Sequence, residues 1–163
     1  MHKRTLTALS AALLLSVSAN VFAAPMSKAD HKSAEAAISA QYDADKTACK
    51  GLAANAKDIC MEEAKGKKNV AKAELEANAN PTEKNQYNLR IAQADAAYDV
   101  AKEKCDDAAG NAKDVCRKEA KSAHVAAKAN AKLSEEKSEF MGFATHQIRA
   151  PLTDVKAATS MIL

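Results

Sequence analysis

An internal duplication at an offset of 56 residues constrains the fold more than any other feature of the sequence. The segment YDADKTACKGLAANAKDICMEEAK begins at Tyr42 and matches YDVAKEKCDDAAGNAKDVCRKEAK, which begins at Tyr98. Of 36 aligned positions, 16 are identical. All 4 cysteines of the chain lie in this repeat, two in each copy, so each copy is expected to fold as the same small unit.

The spacing of the cysteines limits how each copy can fold. The pairs are Cys49 with Cys60 and Cys105 with Cys116, each eleven residues apart. On one continuous helix such residues are separated by about 16 Å, whereas a disulfide needs Cα atoms within about 7 Å. A disulfide within a copy therefore requires the chain to reverse direction. Gly51 and Asn55 in the first copy, and Gly110 and Asn111 in the second, favour that reversal.

Four cysteines allow three pairings, and the sequence leaves all three open. The duplication favours pairing within each copy, because each copy carries its own complete pair. Closing so short a loop stabilises the fold by about 3 kcal/mol in the chain-entropy model. A metal or redox site is the alternative. The spacing without nearby histidines fits no zinc motif well, however, and it is not a C-x-x-C motif.

The composition predicts helix almost everywhere after the first residues. The chain has 39 alanines, 4 glycines and no tryptophan, and alanine, lysine and glutamate are strong helix formers. The large apolar residues between positions 28 and 132 are scattered, which predicts thin seams between helices and no large pocket. The predicted helices are 28–50, 56–78, 82–107 and a long helix from about 112.

The predicted fold class is all-α, with two tandem disulfide-stapled αα-hairpins followed by a long amphipathic C-terminal helix. Asn80 and Pro81 break the helical run between the copies. The hairpins could form a four-helix antiparallel array or lie end to end, and the sequence does not decide between these arrangements. The predicted boundaries are 1–23 for a signal peptide, 24–133 for the duplicated region and 134–163 for a distinct C-terminal helix.

The charge of the chain argues against nucleic acid as a partner. The net charge is only +3, from 24 basic and 21 acidic residues. The two signs alternate along the predicted helices, which is typical of solvated faces. The lack of tryptophan and the few other aromatic residues also disfavour a surface on which bases could stack.

The first 23 residues have every element of a secretory signal peptide. His2, Lys3 and Arg4 are followed by an apolar run, 6–17, and the small-residue site around Ala23 predicts cleavage before residue 24. The expected location is periplasmic or secreted. An uncleaved anchor is the alternative, but its serines weaken it, and no later segment approaches a membrane span, so no stable span is expected.

Residues 1–133 resemble a group of small alanine- and lysine-rich exported proteins of Gram-negative bacteria. The resemblance rests on NVFAAPMSKAD at the end of the leader and on the duplicated C…NAKD(I/V)C. It implies export and a helical fold, and no reaction.

The composition changes after Leu133, where aromatic and large aliphatic residues become frequent. At 100° per residue one apolar stripe forms, comprising Phe140, Ala144, Ile148, Leu152, Val155 and Ile162. His146 lies on the opposite face of this predicted helix, which Pro151 is expected to bend. The other histidines, His2, His31 and His124, have no surrounding pattern and are predicted to be solvated surface residues.

Residues 137–163 resemble the first helix of the dimerisation and phosphoacceptor domain of two-component sensor histidine kinases. The residues in register are Phe140, Phe143, His146, Arg149, Pro151 and Leu152. The resemblance implies that His146 is the phosphoacceptor, that Gln147 orients its ring, and that the helix forms a homodimer and meets a response regulator. ATP would come only from a separate catalytic domain, so no cofactor or metal is expected in this chain.

Two functional hypotheses follow. The first is a truncated or fused histidine-kinase-like protein of two-component signal transduction, with His146 as acceptor. Since no Gly-rich phosphate loop and no second dimerisation helix follow in the sequence, it is not expected to phosphorylate itself. The alternative is an exported periplasmic helical protein with a structural or binding role and no catalytic activity.

Overall fold

A computed structural model of the chain describes residues 26–160; for His146 and for residues 148–160 it describes the helical backbone alone. The predicted signal peptide lies outside the described residues. The described residues form helices and no strand, which confirms the all-α class. The helices are α1 (Lys28–Cys49), α2 (Ala54–Ala79), α3 (Glu83–Lys104) and α4 (Gly110–Ser160), with a 3₁₀ turn at Cys105–Asp107 between α3 and α4.

Two of the helices begin at a polar cap. The Ser27 hydroxyl accepts a hydrogen bond from the Asp30 amide at the start of α1, and the Thr82 hydroxyl accepts one from the Asn85 amide at the start of α3, both at 3.1 Å. Each bond satisfies an amide that has no partner inside the helix. Thr82 directly follows Pro81, so the predicted break between the copies lies where α2 gives way to α3.

Extensive packing between described helices is confined to helices that are consecutive in the chain: α1 with α2, α2 with α3, and α3 with α4. Because short turns join these helices, each runs antiparallel to the one before it. Within the described residues the helices therefore form a layer, with α1 at one edge and α4 at the other. No described helix is both long and apolar enough to cross a bilayer.

Small side chains fill the seams of this layer. The most buried residues are Cys49, Cys105, Ala64, Ala77, Ala94, Ala131 and Leu75. Gly66 of α2 is also buried, and a Cβ placed on it would lie 2.9 Å from the Cβ of Ala96 in α3. The α2 and α3 backbones thus approach closely because position 66 has no side chain.

Helix α4 is longer than its neighbours, with 51 residues against 22 in α1 and in α3. It continues without interruption across Leu133, where the composition of the sequence changes. Several large apolar side chains from Leu133 onward are exposed, including Leu133 at 64%, Phe140 at 68% and Phe143 at 64%.

Candidate functional site

All four cysteines form disulfides, and each pairing stays within one repeat copy as the duplication favoured. Cys49 pairs with Cys60, and Cys105 pairs with Cys116; the Cα atoms are 5.6 Å apart in both pairs. Each bond joins the end of one helix to the first turns of the next. The chain has no free cysteine, so these sulfur atoms act here as cross-links between helices.

The two candidate phosphotransfer residues lie in the second half of α4. Gln147 is exposed. The backbone of His146 is helical, but its side chain lies outside the described residues. Both positions lie C-terminal to His124 and Lys128, whose side chains contact α3. The predicted placement of His146 opposite an apolar stripe therefore stays a prediction.

A shallow groove of about 450 Å³ lies between α1 and α2. Its apolar floor includes Ile38, Tyr42 and Ala64, and Lys67 and Lys68 stand beside it. The ammonium group of Lys68 is 4.3 Å from the centroid of the Tyr42 ring, within the range of a cation–π interaction. Asp45 lines the same groove, so its rim carries both signs of charge.

His124 lies in a polar cluster in the seam between α3 and α4. Its Nε2 atom is 2.6 Å from Oδ1 of Asp95, and its ring stacks on Tyr98 with centroids 4.5 Å apart. The ammonium group of Lys128 is 3.7 Å from the same Asp95 oxygen. The side chain of His124 is only 18% exposed. The cluster therefore connects two helices.

His31 makes a similar connection between α1 and α2. Its Nε2 atom is 2.9 Å from Oε1 of Glu76, and its Nδ1 atom is 3.9 Å from Oε2 of Glu35. Ligand atoms of these three residues lie within 4.8 Å of one another, close enough to surround a cation. Both carboxylates are at least half exposed, however, and they already pair with the imidazole.

The prediction that His31 and His124 are solvated surface residues is wrong. Both are largely covered and pair with a carboxylate of a neighbouring helix. The repeat held a signal that could have identified His124. In the repeat His124 aligns with Lys68, and Tyr98 aligns with Tyr42. The two copies therefore place equivalent pairs of side chains in contact.

No family model matches the chain, and comparison with curated proteins and with solved structures finds no match. The function is therefore inferred from the residues and contacts described above.

Proposed function

We propose that this protein is an exported, disulfide-braced helical scaffold of the periplasm, which supports or binds a partner without catalysing a reaction. The observation that carries the proposal is the pairing of all four cysteines within their own repeat copies. Disulfides form and persist in oxidising compartments and are rare in the cytosol. Two such bonds are thus compatible with the extracytoplasmic location that the signal-like residues 1–23 predict.

The arrangement of the helices supports the scaffold role. In each copy two consecutive helices pack together, and the copy's own disulfide crosses the turn between them. We take each copy to be one αα-hairpin unit. Alanine-rich seams bury little apolar area per residue, so a cross-link at each turn contributes a substantial part of the stability, about 3 kcal/mol in the chain-entropy model.

The grooves of the described residues also favour binding over catalysis. The groove beside Tyr42 is partly open to solvent, and the one between α2 and α3 beside Val70 is more open. Active sites usually enclose most of a substrate within a concave pocket. Open grooves between helices are better suited to a chain segment or to another helix.

Cell fractionation followed by mass measurement tests the proposal. The expected product is periplasmic, begins at Ala24 and has no thiol that reacts with an alkylating reagent. Ala23→Leu is the matched control, because a bulky residue at the predicted cleavage site should leave the precursor unprocessed. An intact cytosolic chain with four reactive thiols would contradict the proposal.

A second candidate function is phosphoacceptance by His146, as the resemblance to sensor kinases implies. It is favoured by the position of this segment on helix α4, C-terminal to the residues whose side chains contact α3, and by the exposure of Gln147. A neutral imidazole is a competent nucleophile near neutral pH. A catalytic domain and a response regulator would have to come from other chains, and the same helix would form the homodimer.

This second function is tested by mixing the purified protein with a sensor-kinase catalytic domain and labelled ATP. Acid-labile label on the wild type that His146→Gln removes and His31→Gln retains would support it. Equal labelling of the wild type and His146→Gln would exclude it. Fractionation separates the two candidates as well, because an exported chain does not meet cytosolic ATP.

A further inference from the structure

The two edges of the helical layer are related by the repeat. Helix α2 is covered on both sides, by α1 and by α3. Helix α4 is the equivalent of α2 in the second copy, but among the described residues only α3 covers it. Likewise α1 is the equivalent of α3, and within the described part of the chain α2 is the one helix that packs extensively on it. The layer thus ends in two open edges that correspond to the two sides of its central α2–α3 seam.

Several residues that are buried or half-buried in the central seam have exposed equivalents at the two open edges. Gly66 and Ala77 of α2 are buried in the central seam, and Ala73 is half-buried. Their equivalents on α4 are all exposed: Ser122, Leu133 and Ala129. The same holds for α3, where Ala92 and Ala96 are half-buried and their equivalents on α1, Ala36 and Ala40, are exposed.

One ion pair of the central seam has its equivalent at the open edges. Lys65 Nζ lies 3.5 Å from Oδ2 of Asp99 across the seam. The residues 56 positions away have the same identities, Lys121 on α4 and Asp43 on α1, and both are exposed. A lysine at one open edge and an aspartate at the other provide complementary charge for one contact between chains.

An asparagine repeats the pattern at the end of the seam. The Asn55 side-chain amide donates a hydrogen bond of 2.9 Å to the backbone carbonyl oxygen of Glu103. Its equivalent on α4 is Asn111, which is exposed, and the equivalent carbonyl belongs to Thr47 near the end of α1. Both edges therefore retain the groups that make this bond in the centre of the molecule.

We propose that copies of this chain assemble head to tail, with α4 of one chain packing on α1 of the next as α2 packs on α3. Lys121 then pairs with Asp43 of the next chain, and the exposed alanines of the two edges form the seam. Each added chain leaves one α4 edge and one α1 edge open. Such a contact continues into a filament or closes into a ring, and does not stop at a dimer.

Several residues differ between the two seams, among them Leu133 in place of Ala77 and Ala48 in place of Lys104. The difference at Gly66 bears on how closely the helices approach. Gly66 lets α2 and α3 approach closely, whereas the equivalent position on α4 is Ser122. Its side chain keeps the helices of two chains farther apart than α2 and α3. The contact between chains is therefore weaker than the contact within one, and assembly depends on protein concentration.

Light scattering coupled to size-exclusion chromatography of the oxidised, full chain tests the proposal. The wild type is expected to form species larger than dimers as concentration rises. Ala126→Glu blocks the α4 edge and Ala40→Glu blocks the α1 edge, and each alone is expected to be monomeric. Ala123→Glu is the control and should assemble like the wild type, because the equivalent residue beside the central seam, Lys67, is itself charged and exposed. Unchanged helicity by circular dichroism shows that each variant is folded.

Mixing the two edge variants gives the decisive result. Each retains one intact edge, so an equimolar mixture should form one-to-one dimers and nothing larger. A wild type that stays monomeric overturns the proposal. Assembly that Ala40→Glu leaves intact also overturns it, and would indicate α4–α4 pairing. Dimers that still form when one chain carries both changes overturn it as well, and would indicate pairing through residues 137–163.

Charge exchange adds a second test. Lys121→Asp or Asp43→Lys alone should weaken assembly about fivefold, since each replaces an attraction with a repulsion. A chain that carries both changes should assemble as strongly as the wild type. If it does not, the result counts against the Lys121–Asp43 pair. The assembly proposal rests on the scaffold role proposed above in one respect: it names a second copy of the chain as the partner of that scaffold. Fractionation and assembly measure different properties, so either proposal can fail without the other.

Discussion

The ring of His124 stacks on the ring of Tyr98, with centroids 4.5 Å apart and an angle of 11° between the planes. In the first repeat copy the ammonium group of Lys68 lies 4.3 Å from the centroid of Tyr42. Lys68 and His124 hold the same position in the repeat, as do the two tyrosines. Both copies thus place a nitrogen-bearing side chain of the second helix over a tyrosine of the first, which fixes the register of the two helices.

We predict that His124→Ala lowers the free energy of unfolding by about 2 kcal/mol. The change removes both the ring stack on Tyr98 and the hydrogen bond to Asp95. His124→Lys should cost less, because lysine can reproduce the contact that Lys68 makes in the first copy. Urea denaturation of the oxidised protein measures both. Equal stability of His124→Ala and the wild type would show that the stack does not support the seam.

The disulfide pairing could be predicted because it depends on distances along the chain. Cysteines eleven residues apart can bond only across a turn, and the duplication gave each copy its own pair. The helices were predictable for a related reason, since helix propensity and the break at Pro81 are local properties. The structure placed the ends of the first three helices within a few residues of the predicted bounds.

The arrangement of the helices could not be predicted from the same information. Alanine appears on every face of these helices, so apolar periodicity does not show which face meets which neighbour. The packing of α2 along α3 depends on one small residue, Gly66, opposite Ala96. The role of His124 depends on Asp95, 29 residues away on another helix. Neither contact has a local signal.

Gly66→Ala should destabilise the protein by about 1–3 kcal/mol, although alanine is the better helix former. The added Cβ would lie 2.9 Å from the Cβ of Ala96, so the two helices must separate. Gly142→Ala is the matched control, because nothing lies within 4 Å of a Cβ at that exposed position of α4. It should leave stability unchanged or raise it by up to about 1 kcal/mol. Urea midpoints that shift in the same direction for both variants would contradict this account.

Asp106 provides a pH-dependent contribution to stability. A hydrogen bond from Arg117 lowers the pKa of its carboxyl group below the usual 3.8, and Lys113 adds to the effect. A carboxyl whose pKa is lower in the folded state stabilises the fold above its unfolded pKa, and this contribution is lost as pH falls through the folded pKa. We therefore expect the Asp106 pair to matter at neutral pH and to disappear in strong acid.

Titration of the Asp106 carboxyl by NMR tests this expectation. In Arg117→Gln its pKa should rise toward the usual value, and the acid side of the stability curve should become shallower. Lys113→Gln is the matched control and should produce a smaller rise, since the Arg117 nitrogen is 2.7 Å from the carboxylate and the Lys113 nitrogen is 3.4 Å away. An Asp106 pKa that is the same in the wild type and in Arg117→Gln would rule out this assignment.

The turns of the two repeat copies have a positive φ at the same repeat position, but different residues occupy it. Ala54 begins α2 with a φ of 48°, and Gly110 begins α4 with a φ of 54°. These positions are equivalent in the repeat. A left-handed conformation costs a residue with a Cβ about 1–2 kcal/mol, and glycine avoids that cost while losing more chain entropy on folding.

Ala54→Gly should therefore raise the free energy of unfolding by about 0.5–1 kcal/mol, and Gly110→Ala should lower it by a similar amount. Thermal and urea unfolding of the oxidised variants measure both effects. Opposite signs at equivalent positions would tie the effect to the positive φ, because a general helix-propensity effect would favour alanine at both sites; destabilisation by Ala54→Gly would refute this explanation.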